Sequence, residues 1–254
     1  MTRRPELIPT QISGLRDKVE ALHQCGIEQI YLARFNQAMA DMSAATFIDE
    51  ILVQGLNTGW LLVGEDFRYG HKRAGDIEML REAGKRHGFS VETLHDVADA
   101  DGRRISSSEV RTALAVGQLD RARALLGKPF HISGHVIHGQ KLGRDIGYPT
   151  LNVRVPEHCA ARSGVYVVRV HGLTGQALPG IASLGVRPTV IDQGRLLLEV
   201  HLLDQRLDAY GKLARIEFLE FVRDEEKFPD LITMIAAIDN DAQRARDYFA
   251  SNGL

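Results

Sequence analysis

The stretch Gly134-His135-Val136-Ile137-His138-Gly139-Gln140-Lys141-Leu142-Gly143-Arg144-Asp145-Ile146-Gly147-Tyr148-Pro149-Thr150-Leu151-Asn152 gathers four glycines and two basic side chains, Lys141 and Arg144, within nineteen residues. Glycines such as Gly139, Gly143 and Gly147 let a backbone approach a ligand closely and take positive φ, so that amide N–H groups can converge on a phosphate. Gly134 to Lys141 nearly matches GxxxxGK. The lysine comes one place late, Leu142 stands where Ser or Thr is needed, and no helix follows, so the P-loop reading fails. An ordinary Gly-rich hairpin is the other reading. Pro149-Thr150-Leu151-Asn152 tips the balance toward a ligand, because a rigid turn there presents the Thr150 hydroxyl and the Asn152 amide oxygen together, both hard donors suited to Mg²⁺.

Glu199 is the second candidate. It falls in the middle of Leu196-Leu197-Leu198-Glu199-Val200-His201-Leu202, on the face opposite Leu198, Val200 and Leu202, with His201 on its own face. A solvated outer face accounts for such a glutamate; so does a general base that takes a proton from a hydroxyl nucleophile.

Two further sets lie in the first half. Gly64-Glu65-Asp66-Phe67-Arg68-Tyr69-Gly70 follows an apolar strand, and ligands of open α/β sheets bind beyond the carboxyl ends of strands. Asp66, Phe67 and Gly70 are its candidate residues. Ser106, Ser107 and Ser108 precede Glu109, Val110 and Arg111 at a helix start, where free N–H groups and the helix dipole attract anions. Plain N-capping needs only one serine; three serines with Arg111 favour phosphate.

These residues need a scaffold, and the hydropathy pattern supplies two. In the first half, Ser13 caps a helix with Leu15, Val19 and Leu22 on one face, and Gly26 sits at its end. Gln29-Ile30-Tyr31-Leu32-Ala33 reads as a buried strand, and Ser43 caps a helix carrying Phe47, Ile51 and Leu52. Trp60-Leu61-Leu62-Val63 follows as a strand covered on both faces, then a helix over 77–87 and a strand over 90–94. This αβαβαβ order predicts a doubly wound, Rossmann-like α/β domain that lacks a strand before its first helix. Glu109 to Leu126 is helical in two pieces broken at Gly117. After Pro129 the apolar period drops from 3.6 to 2, and short strands with Gly-rich turns predict a small antiparallel barrel. The tail is a helix with Leu231, Ile235, Ile238, Ala242, Ala245 and Phe249 on one face, which is core packing. The expected domains are 1–126, α/β, and 127–254, barrel.

At 254 residues the chain is long enough for both domains, and 44% apolar with 25% charged residues is ordinary globular composition. A formal charge of −2 gives no electrostatic footprint for nucleic acid. No apolar run approaches 18 residues, and the two arginines near the start have no apolar segment behind them, so neither a membrane partner nor a signal peptide is expected. Cys25 and Cys159 are isolated, and buried free thiols in a cytoplasmic protein without a structural metal are the expected reading. The oligomeric state leaves no trace in the composition.

Together these segments resemble the bifunctional bacterial riboflavin kinase/FAD synthetase family over nearly the whole chain. Gly143 to Asn152 looks like the approach to the family's PTAN motif, with Leu151 in place of the usual alanine. Gly164-Val165-Tyr166, Gly185-Val186-Arg187-Pro188-Thr189, Glu199-Val200-His201-Leu202, Tyr210-Gly211-Lys212, Phe221-Val222-Arg223-Asp224-Glu225 and Lys227-Phe228 follow in the family's order. The resemblance implies a six-stranded Greek-key barrel that phosphorylates riboflavin to FMN with MgATP. It implies that Thr150 and Asn152 hold Mg²⁺ and the ATP phosphates, that the loop from Gly139 through Lys141 to Gly147 wraps the nucleotide, that Glu199 is the base, and that Arg223 closes the flavin side. The first half resembles the FMN adenylyltransferase domain, through Gly64 to Gly70 and Ile105 to Arg111. The family's Gly-x-Phe-Asp-Gly-x-His-x-Gly-His loop has no counterpart here, so FAD synthesis is expected to be impaired, and either Met1 is expected to be an internal methionine of a longer polypeptide or the chain to be a fragment. A non-catalytic flavin- or nucleotide-binding remnant is the alternative.

Overall fold

The computed structural model describes residues 9–139, 143, 147–156, 158–186 and 196–253. The chain divides into two compact units: Gln29–Ile105, and Ser106–Leu254 together with the segment up to Glu28.

In the Gln29–Ile105 unit, α2 (Gln37–Asp41) and α3 (Ala44–Thr46) lead into a π-helical stretch, Phe47–Gly55. As predicted, the Ser43 hydroxyl caps this assembly, accepting from the Thr46 amide at 3.0 Å. The helix itself widens, with the Leu56 amide donating to Ile51 O. Strands β1 (Trp60–Gly64) and β2 (Ser90–Leu94) pair in parallel, Trp60 opposite Ser90 through Gly64 opposite Leu94. Between them runs α4 (Ile77–His87), where Asp76 accepts from the Met79 amide at 3.0 Å and Gly88 closes the end with φ 83°. That backbone bond holds the Asp76 carboxyl below the usual carboxylate range. The core is Ile48, Leu52, Leu80 and Phe89 with Leu61, Val63 and Val91 against it. Leu80 is fully buried, and such a leucine contributes about 1.5–3 kcal/mol.

Two expectations for this unit are corrected. The sheet is covered on one face: Leu61 and Val63 point into the core, whereas Trp60 and Leu62 are 53% and 43% exposed. Gln29 to Ala33 is not a strand. Tyr31 and Leu32 stand 65% and 62% exposed, and this stretch pairs with neither β1 nor β2. A strand is stabilised by its ladder and cross-strand packing, and a five-residue apolar run without either has no reason to stay extended.

In the other unit, α1 (Leu15–Gln24) starts from Gly14 with no side-chain cap, so Ser13 lies outside the helix rather than capping it. The expected break at Gly117 separates α5 (Ser107–Ala115) from α6 (Leu119–Leu126). Six antiparallel strands follow: β3 (His131–Ile137), β4 (Leu151–Arg154), β5 (Gly164–His171), β6 (Leu178–Val186), β7 (Leu196–Leu202) and β8 (Leu213–Arg223). They close in the order β3-β4-β7-β6-β5-β8, with β3 paired to β8 at the seam. β5, β6 and β7 form a meander, and β4 returns to lie beside β7, which is the Greek-key step. Tyr166, Val168, Leu184, Leu198, Val200 and Phe218 fill the interior. On the outer wall α7 (Leu231–Ser251), capped by Asp230, packs Ala242, Ala245 and Phe249 onto Val165, Val167, Ile181 and Leu203. The predicted stripe holds from its middle onward; Leu231, in the first turn, is exposed.

Of the two cysteines, Cys159 is buried and burial pushes its thiol up, whereas Cys25 is exposed. Buried, protonated thiols react slowly. A thiol reagent at mild alkaline pH is expected to label Cys25 rapidly in the native protein and Cys159 only after unfolding, as peptide mapping would check.

No helix among the described residues is long and apolar enough to cross a membrane.

Candidate active site

The barrel's alternation decides which side chains reach its outer wall. Leu198, Val200 and Leu202 of β7 point inward, so Glu199 and His201 point out. Glu199 lies opposite Asn152 of β4 on one side and Ser183 of β6 on the other. Directly opposed residues share a face with Cβ atoms about 5 Å apart. Asn152, Glu199 and Ser183 therefore form a transverse row across three strands, beside the wall that α7 covers.

The Asn152 end is tightly enclosed. Asn152 is 5% exposed, its Nδ2 lies 3.5 Å from Thr150 O, and its Oδ1 is buried with no hydrogen-bond partner. Buried polar atoms are nearly always paired, so the orphaned amide oxygen has capacity left to accept from or coordinate a ligand. Gly139 explains the enclosure: a Cβ there would sit 2.4 Å from Asn152 Nδ2. Gly139→Ala is expected to push the Asn152 amide aside and weaken ligand binding at this end, with a smaller change in Tm; steady-state kinetics would check this. The turn before Thr150 is also held, by His201 Nδ1 at 3.0 Å from Pro149 O and by the Tyr148 ring edge-on to His201 at 5.0 Å. Tyr148 donates its hydroxyl to Asp239 of α7, which pushes the phenol up. Gly143 accepts from the Tyr148 amide at 2.7 Å, and Gly147 has φ 93°. Lys141 lies outside the described residues.

Next to Thr150 opens a cleft of about 520 Å³ lined by Val136, Pro149, Thr150, Leu202, Arg206 and Tyr210, a size that suits a nucleotide-sized ligand. The Tyr210 ring stacks on His138 at 3.9 Å.

The Ser183 end is built from the chain between β8 and α7. Ser183 donates to Glu225 Oε1 at 2.8 Å, and that carboxylate lies so close over Gly185 that a Cβ there would be 2.0 Å from it. Arg162 reaches Asp224 at 2.6 Å and sits over the Phe221 ring. Arg223 forms a bidentate pair with Asp241 of α7, Nε to Oδ1 at 3.0 Å and an NH2 nitrogen to Oδ2 at 2.7 Å. Its remaining nitrogen donates to Asp224 O at 3.1 Å and meets Glu226 at 3.3 Å, with Phe228 beneath the guanidinium. The Asp241 hydrogen bonds push the Arg223 guanidinium above its ordinary value, so it stays charged.

Of the residues picked from the sequence, Gly139, Thr150, Asn152 and Glu199 come together here, and Arg223 turns to α7. Ser183, Glu225, Asp239 and Asp241 were not picked. Two of them carried a signal: Ser183 is a polar outward residue in an otherwise apolar strand, and Asp241 is a carboxylate on the buried stripe of α7, three residues from Ile238 and four from Ala245.

The other candidates are described unit by unit. In Gln29–Ile105, Phe67 donates its amide to Gly64 O, its ring stacks on Tyr69 at 5.7 Å, Asp66 lies 3.7 Å from Arg104, and Gly70 packs on Ala44. In the barrel-containing unit, Ser106 caps α5 by accepting from the Glu109 amide at 3.2 Å, and Ser107 and Ser108 remain exposed in the first turn. Arg111 Nε donates to Thr10 O at 2.7 Å.

Among the described residues no three His, Cys, Asp or Glu side chains converge as a metal site. A cation at the Asn152 end would use neutral oxygens such as the orphaned Asn152 Oδ1, a hard donor that fits Mg²⁺.

Asn152, Glu199 and Ser183 thus stand in one outward row on a closed six-stranded Greek-key barrel, in a chain that also carries an α/β unit. Residues 126–249 match the riboflavin kinase family, and residues 2–109 match the FAD synthetase family. The bifunctional riboflavin kinase/FMN adenylyltransferase of Pseudomonas fluorescens is 43% identical over 242 residues, covering 95% of this chain and 77% of that protein. Its counterpart in Escherichia coli K12 is 42% identical over 241 residues, covering 95% and 76%. The crystal structure of a macrolide-efflux protein from Streptococcus pneumoniae superposes with a TM-score of 0.75 at 28% identity, covering 94% of this chain and 79% of that one. The chain belongs to the bifunctional riboflavin kinase/FMN adenylyltransferase family.

Proposed function

We propose that the barrel transfers the γ-phosphoryl group of ATP to the ribityl 5′-hydroxyl of riboflavin, giving FMN and ADP. The observation that carries this reading is the row in which Glu199 stands between the orphaned Asn152 oxygen and the Ser183–Glu225 pair. Phosphoryl transfer needs an oriented hydroxyl, charge neutralisation on the phosphates and little covalent help from the protein. Glu199 accepts the proton of the 5′-hydroxyl as its oxygen attacks the γ-phosphorus and the bond to the bridging oxygen of ADP breaks. Thr150 and Asn152 hold the phosphate end, and Mg²⁺, when bound there, neutralises phosphate charge. Gly139, Gly143 and Gly147, with Lys141, wrap the nucleotide, and the cleft beside Thr150 takes its base and ribose. Arg223 frames the flavin side.

We assign the functional boundary to residues 126/127; the riboflavin kinase match starts beside it, at residue 126, whereas the FAD synthetase match stops at residue 109. Adenylylation of FMN to FAD is a second reading, favoured by the FAD synthetase match; Asp66, Phe67, Gly70, Ser106, Ser107, Ser108 and Arg111 are its candidate residues. The two unpaired thiols suit the reducing cytoplasm.

The test is to incubate the purified chain with riboflavin, ATP and Mg²⁺ and separate the flavins chromatographically. FMN alone is expected. FAD as well would establish the second activity in this chain. No FMN from folded protein would defeat the kinase reading and favour a non-catalytic flavin- or nucleotide-binding protein.

A further inference from the structure

The row has a direction. Its Asn152 end, with the orphaned amide oxygen and the adjoining cleft, suits phosphates. The acceptor alcohol therefore enters from the opposite end, where Ser183 and Glu225 stand. Glu225 is not on the barrel: it belongs to the link between β8 and α7. It needs to be held in place, and the structure holds that link at successive residues.

The strongest hold is Asp241. It is 6% exposed, lies on the packed stripe of α7, and takes two nitrogens of Arg223 at 3.0 and 2.7 Å. With that edge occupied, the remaining Arg223 nitrogen donates to the carbonyl of Asp224, the residue just before Glu225. Arg162 fixes the Asp224 carboxylate, and Phe228 lies under the guanidinium. The link is thus tied at Arg223, Asp224, Glu225 and Phe228, and Asp241 anchors the first of these ties to the helix. A planar, bidentate pair of this kind fixes orientation as well as distance.

We propose that Asp241 is a positioning residue of the kinase, acting through Arg223 to set Glu225 at the acceptor end of the row. This rests on the kinase reading above. Loss of Asp241 should disturb the acceptor and spare the nucleotide, because the contacts that hold Thr150, Asn152 and Gly139 do not run through Arg223: His201, the backbone of β4, and Tyr148 with its own bond to Asp239 of α7.

The test compares D241N, D241E and S183A with the unmodified chain, measuring FMN formation and riboflavin binding by flavin fluorescence quenching. D241N is expected to raise both the riboflavin KM and the riboflavin Kd at least tenfold while the ATP KM stays within twofold. S183A, which removes the other tie on Glu225, should shift the same constants in the same direction. D241E should recover part of the loss. Phe249→Leu serves as the control, since Phe249 packs α7 onto the barrel about two helical turns beyond Asp241; it should lower Tm and leave the riboflavin constants unchanged. A riboflavin KM within twofold of the unmodified value in folded D241N would overturn the proposal, as would an equal rise in Phe249→Leu. An unmodified chain that binds riboflavin without turnover would sink the kinase reading alone, and the binding constants would still decide the role of Asp241. One that does neither would remove both.

Discussion

Replacing Glu199 with glutamine is expected to cut FMN formation by two or more orders of magnitude, with nucleotide binding nearly unchanged. A positioned general base contributes about 10²–10⁴-fold, and the glutamine side chain has the same shape without a basic oxygen of comparable strength. The substitution is mild for the fold. Glu199 points away from the barrel interior, and its neighbours Leu198 and Val200 carry the packing. Thermal unfolding should therefore change little while kcat collapses. Single-turnover measurement with saturating ATP and riboflavin separates the chemical step from binding. Near-normal kcat in folded E199Q would remove Glu199 from the mechanism.

Asn152→Leu is expected to move stability and activity in opposite directions. The amide is almost fully buried, and its Oδ1 has no partner. An unsatisfied buried polar group costs about 1–3 kcal/mol, and leucine has the same branched skeleton, bulkier at its two methyls, with nothing to satisfy. Leu151 and Val153 point to the other face of β4; on the face of Asn152 itself the β3 partner is the apolar Ile137, which offers a leucine surface to pack on. Tm should hold or rise by about 2–4 °C per kcal/mol recovered. FMN formation should fall at least about tenfold at low Mg²⁺ and ATP, because the oxygen that holds the phosphate end is gone. Removal of a merely structural group would lower both quantities, or neither. A variant that is more stable and still fully active would show that the orphaned oxygen has no ligand.

Much of the fold was legible because its signals are local. The α4 boundaries follow from Asp76 before the apolar period and Gly88 after it. β7 follows from strict alternation around Glu199, and the break between α5 and α6 follows from Gly117. Gln29 to Ala33 misled for a related reason. It has strand composition, but strand formation depends on a partner, which lies elsewhere in the chain. The single covered face of β1 was hidden similarly, since Trp60 and Leu62 are as apolar as Leu61 and Val63. In the site, glycines and the Thr150–Asn152 turn could be read because they are close in sequence. Ser183, Glu225 and Asp241 could not: their meeting depends on barrel register and on where α7 lands, neither of which a local window contains.

The seam of the barrel has a consequence for how this protein is made. β3 is the first barrel strand to leave the ribosome and β8 the last, yet they are partners, Ile132 opposite Ile216. Until β8 emerges, β3 has one bare edge, and β5, which also needs β8, has another. Contacts this distant in sequence form slowly, and incomplete chains with open edges are prone to mispair. A stalled or prematurely terminated translation product ending before residue 213 should therefore be a client for chaperones and proteases rather than a partly working enzyme. The row at Glu199 would be nearly complete in sequence and still have no closed wall to stand on.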